Sequence, residues 1–165
     1  MTKMLATGDI EQELASTRRV LERLPDEKWT WRPHEKSMAL GELATHIVNI
    51  PLWMQAILDQ REFDLATVPM KGEPLANRDA VLELFDSRVK EVESSLDALD
   101  ADALDEPWTL RRGDQVVFEL PRALALRSLG TSHMIHHRAQ LGVYLRMLDV
   151  PVPGVYGPSA DEMAG

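Results

Sequence analysis

Three histidines fall within five positions near the C-terminal end of the chain, in the stretch TSHMIHHRAQLGVYLRML. On an α-helix, which turns about 100° per residue, His133 and His137 stand one turn apart on the same face, while His136 points elsewhere. Extending that face in both directions gives Leu126, Leu129, His133, His137, Gln140, Leu141, Tyr144 and Leu148, a largely apolar line that belongs inside a fold. His46 lies beside a second such line, Leu43, Ile47, Ile50, Met54 and Ile57, so its imidazole can point inward too. Each imidazole carries a donor and an acceptor that must be satisfied out of water, and three of them converging on an interior are costly as filler. A divalent cation would satisfy them together, with two ligands from one rigid helix and a third from another. Three protein ligands leave a coordination position open, as in catalytic rather than structural zinc sites.

The competing reading is a set of core histidines, each hydrogen-bonded to a carbonyl, and spacing alone leaves both open. His34, in the polar WRPHEKS connection, and His136 read as solvent-facing or supporting residues. His136, Tyr144, Arg138, Tyr156 and Asp161 are the available proton-transfer or anchoring groups, and nothing in the sequence ranks them. HEKSM is not HExxH, and no phosphate loop, dinucleotide fingerprint or nucleophile elbow is present. The eight methionines and four tryptophans read as packing residues.

The elements that must position these residues follow from periodicity and punctuation. A first helix is expected from about residue 5 to Leu24, ended by Pro25, followed by an irregular LPDEKWTWRPHEKS. A second should start near Met38 to Leu40, capped by Ser37, and run through GELATHIVNIPLWMQAILDQ, where Pro51 should kink the helix or leave one carbonyl without its partner. REFDLATVPMKGEPLA reads as a crossover, after which Asn77 caps a third helix reaching Leu99. The turn Arg112-Gly113-Asp114 separates two short apolar runs in a hairpin-like excursion. Pro121 opens a fourth helix that continues to about Leu148, and the tail PVPGVYGPSADEMAG is too rich in proline and glycine to extend it. Four amphipathic helices, two long connections and no strand set large enough for a sheet predict an all-α four-helix bundle with crossover topology. With 165 residues and no internal repeat, residues 1–165 read as one domain.

Composition narrows the chemistry. There is no cysteine, which excludes disulfides, thiolate ligands and a cysteine nucleophile, and leaves His, Asp and Glu as metal donors. A net charge of -9 repels a phosphate backbone, and Arg111-Arg112 with the scattered arginines of the last helix read as solvated, so no nucleic-acid partner is expected. The N-terminus has no apolar signal region and no apolar run approaches 18 residues, which gives the expectation of a cytoplasmic protein with no membrane partner.

Three stretches together, WTWRPHEKSMALGELATHI, SHMIHHRAQLGVYLRMLDVPVP and the closing YGPSAD, make nearly the whole chain resemble the DinB-like or YfiT-like family of metal-dependent enzymes, unrelated to the DNA polymerase that shares the name. The resemblance implies an up-down-down-up four-helix bundle, a homodimer, and a divalent metal, nickel or zinc, held by three histidines at positions matching His46, His133 and His137. It also implies a small-molecule substrate, with either hydrolase chemistry on water or transferase chemistry on a low-molecular-weight thiol. A non-catalytic metal or small-ligand binding protein of a stress response is the alternative, favoured by the lack of a glutamate beside the histidines in sequence.

Overall fold

The computed structural model describes residues 7–67 and 72–163. The start of the expected first helix at residues 5 and 6, part of the crossover at 68–71 and the last two residues of the tail lie outside the described residues. The described chain is mostly helical: α1 (Ile10–Leu21), α2 (Leu40–Asp59), α3 (Arg78–Ala98), a short α4 (Arg122–Ala125), a π-helical segment (Leu126–Ser132), α5 (His133–Met147) and a C-terminal turn of helix, α6 (Ala160–Met163). Helices α1 and α2 each pack against both α3 and α5, and α2 also packs on the π-helical segment. Among the described residues, no helix is long and apolar enough to cross a membrane.

The core sits where the periodicities meet. Ile10, Leu14, Val20 and Leu21 of α1, Leu43, Ile47, Ile50, Met54 and Ile57 of α2, Val81, Phe85 and Val92 of α3, and Met134, Leu141 and Leu145 of α5 are all buried. Each such side chain contributes roughly 1.5–3 kcal/mol relative to remaining in water. Asn77 caps α3 as expected, its Oδ1 accepting from the Ala80 amide at 2.9 Å. At the other end of α5, Asp149 takes a left-handed φ of 58° and the Val150 amide returns to the Leu145 carbonyl at 3.0 Å, which closes the helix beside the expected Leu148.

The expectation of an all-α chain is corrected by a three-stranded sheet. The hairpin forms, with β2 (Pro107–Arg112) antiparallel to β3 (Gln115–Pro121) and Gly113 supplying the left-handed φ of 57° in the turn. A third strand, β1 (Glu62–Asp64), comes from the expected crossover and pairs parallel to β2, so that the order is β1-β2-β3. Asp64 Oδ1 accepts from both the Gly113 amide at 2.9 Å and the Ala66 amide at 2.8 Å, tying the crossover to the hairpin turn. Trp108 is fully buried under the sheet.

Local details of the helices also differ from expectation. Ser37 does not cap α2; its amide donates to the His34 carbonyl, and the chain turns extended at Ala39, whose amide is taken by Glu42 Oε2 at 2.6 Å. Pro51 lies inside α2, as expected. Proline withdraws one amide from the helix and crowds the preceding turn, and Arg88 of α3 donates to the Val48 carbonyl there at 2.8 Å and bonds Asn49 as well. Pro121 ends β3 and the helix begins at Arg122, which is 4% exposed. That guanidinium caps the end of α2, donating to the carbonyls of Ile57, Leu58 and Gln60. The arginines of the last helical run are therefore not all solvated, and Arg138, 3% exposed, is a second buried one.

Candidate metal centre

His46 projects from the first half of α2, His133 opens α5, and His137 follows one turn later. The packing of α2 on α5 brings the three rings together, with centroids 5.0 Å apart for His46 and His133, 4.4 Å for His46 and His137, and 4.7 Å for His133 and His137. The Nε2 atoms of His46 and His133 face each other at 3.1 Å, and one ligand-capable atom from each of the three residues lies within 4.8 Å of the others. A tetrahedral ion with bonds of about 2.0–2.1 Å to nitrogen needs neighbouring nitrogens about 3.3 Å apart, so the donors fit a divalent ion with small ring movements. Among the described residues this is the one cluster of His, Cys, Asp or Glu with that geometry.

The protonation states also suit ligation. Burial pushes the His137 ring down to about 4, with the neighbouring histidines adding to the effect, although Gln140 opposes it. Burial likewise lowers His46, reinforced by His133, and lowers His133, reinforced by His136. All three rings are therefore neutral near pH 7, with a lone pair available on each. Gln140 Oε1 lies 2.7 Å from His137 Nδ1, and the Leu129 backbone in the π-helical segment opposes the lowering of His133. Short π-helical segments within helices are frequent beside functional sites.

His46 also opens outward. It lines a cleft of about 590 Å³ together with Arg32, Lys36, Glu42, Thr45, Asn49 and Leu84, among other residues. The cleft wall mixes polar and apolar surface in about equal parts and is not sealed by leucine and tryptophan. Glu42, one helical turn before His46, is a carboxylate on the same wall that reading along the C-terminal histidine pair had missed; the i, i+4 spacing of Glu42 and His46 was its available signal. Glu42 Oε2 also lies 3.7 Å from Arg32.

The other sequence candidates lie elsewhere. His136 is exposed and stacks edge-on against His137 with centroids 4.7 Å apart. The Tyr144 hydroxyl donates to the Met38 carbonyl at 3.2 Å and its ring meets Trp31 edge-on, so it fastens the connection before α2. His34 is exposed, with its Nδ1 accepting from the Lys36 amide. Arg138 forms a buried ion pair with Glu13 at 2.7 Å and donates to the Tyr156 hydroxyl at 2.8 Å, while Tyr156 donates to Glu13. Asp161 pairs with Arg146 at 2.6 Å and accepts from the Val152 amide, which together hold its carboxyl down at about 2. These contacts pin the tail to α1 and α5.

The sequence pattern of the DinB family matches residues 7–165. The chain belongs to the DinB family. Two solved structures share the DinB fold with it: a DinB-like protein from Bacillus cereus, at 21% identity and a TM-score of 0.68 over 92% of this chain and 95% of that one, and a DinB-like protein from Bacillus subtilis, at 17% identity and a TM-score of 0.71 over 92% and 96%. No curated protein matches the chain in sequence.

Proposed function

We propose that this DinB-family chain is a metal-dependent enzyme acting on a small molecule, with His46, His133 and His137 holding a divalent ion, nickel or zinc. The observation that carries the reading is the convergence of three neutral imidazoles beside a partly polar cleft, with no fourth histidine, cysteine or carboxylate donor in the cluster among the described residues. An ion held there would supply Lewis-acid chemistry, acidifying a water or a low-molecular-weight thiol brought to it, as a hydrolase or a thiol-dependent transferase requires. The chain's own residues set the rest. His46 connects the cluster to the cleft, Thr45 and Asn49 present polar atoms along its wall, and Arg32 and Lys36 offer charge at its rim. Glu42 is placed to accept a proton from a molecule lying along that wall. The same reading takes residues 1–165 as a single domain, an up-down-down-up four-helix bundle carrying the small sheet, working as a cytoplasmic homodimer.

A second reading, a non-catalytic metal or small-ligand binding protein, is favoured by one observation: among the described residues the ligating cluster contains no carboxylate. The two are separated by loading the protein with zinc or nickel, screening hydrolytic and thiol-transfer substrates, and repeating the assay with Leu84→Trp, which narrows the cleft without touching the histidines. The enzyme reading expects metal-dependent turnover that Leu84→Trp abolishes while the metal is retained. A protein that holds metal and turns over neither class is the binder.

A further inference from the structure

We infer that Gln140 is a positioning residue that fixes the tautomer of His137, so that Nε2 presents its lone pair to the histidine cluster. The inference rests on the metal-site reading above, although the tautomer itself does not. A neutral imidazole carries one proton, and which nitrogen bears it is set by the partner of the other. His137 Nδ1 lies 2.7 Å from Gln140 Oε1, one turn further along α5, and that oxygen can only accept. The proton is therefore held on Nδ1, and Nε2 is left as an acceptor facing His46 and His133, whose ring centroids lie 4.4 and 4.7 Å away.

The opposite amide orientation predicts the other tautomer. It would place the Gln140 amino group on Nδ1, drive the proton to Nε2 and aim an N–H into the cluster. His46 has no corresponding protein partner among those described, and it is the ring that meets the cleft. The His137 ring is thus oriented before any ligand arrives, and His46 is left to adjust.

The test uses Gln140→Met, which keeps the length and helix preference of the side chain but removes the acceptor, with Gln140→Ala as a second variant and Gln140→Glu as the rescue. Two readouts are needed: ¹⁵N chemical shifts of the His137 ring in the metal-free protein, and zinc and nickel affinity by chelator competition. Wild type should show the Nδ1–H tautomer. Gln140→Met should show mixed tautomers and lose about 10–100-fold in affinity, the usual effect of removing a partner of a metal-binding histidine; Gln140→Glu should restore both. An unchanged tautomer in Gln140→Met, or affinity within about twofold of wild type, overturns the inference. If wild type takes up no metal, the ligand reading fails, and the tautomer comparison still decides the role of Gln140.

Discussion

Lowering the pH should weaken metal binding far less than three ordinary histidines would allow. With side-chain pKa values near 6.5, three independent imidazoles are each about nine-tenths neutral at pH 7.5 and about one-eleventh neutral at pH 5.5, so the competent fraction falls roughly a thousandfold. His137 sits at about 4 and stays about 97% neutral at pH 5.5. Its factor of ten disappears, which caps the loss at about a hundredfold, and the lowered His46 and His133 reduce it further. Zinc and nickel affinities measured by chelator competition at pH 7.5, 6.5 and 5.5 test this. A thousandfold loss over that range would refute the reasoning, because it would mean that the rings titrate as exposed histidines. The sign for folding is the same. The unfolded His137 takes up its proton at a higher pH than the folded one, so its contribution to metal-free stability is complete above about 6.5 and is lost as the pH falls from there toward about 4.

Three further outcomes follow from contacts away from the histidine rings' ligand atoms. Arg138→Met should cost about 3–5 kcal/mol in urea denaturation, because it leaves the buried Glu13 carboxylate unpaired, and adding Glu13→Gln should recover much of that loss. Gly41→Ala should destabilise by about 1–3 kcal/mol and red-shift tryptophan fluorescence, since its Cβ would press on the Trp29 indole and lift Nε1 from the Leu75 carbonyl that it meets at 2.7 Å. His136→Ala should leave metal affinity within about twofold, as expected of an exposed side chain outside the ligand set.

The parts of the molecule that were legible in the sequence are those governed by local rules. The i, i+4 spacing put His133 and His137 on one face, the apolar line through α2 placed His46 opposite them, and Asn77 marked the start of α3. What was missed depends on partners distant in sequence. Strand β1 is three residues long and has no alternation to detect; it is a strand only because β2 lies beside it. Arg122 and Arg138 look like surface charges until their acceptors, the last carbonyls of α2 and the Glu13 carboxylate, are known. Ser37 is a better capping residue than Ala39 by type, but it lies two residues before the N-cap position, and Glu42 takes the Ala39 amide there. The π-helical segment has no composition of its own. Gln140 was on the inward line, yet its role depends on a ring nitrogen that only coordinates can orient.

The most direct test of the three-histidine site is the metal content of the purified, untagged protein by plasma mass spectrometry, measured beside His133→Ala. The account predicts about one equivalent of a transition metal per chain, lost in the variant. A normally folded protein with no metal, and no uptake when zinc or nickel is added, would contradict it and leave the three imidazoles as buried structure.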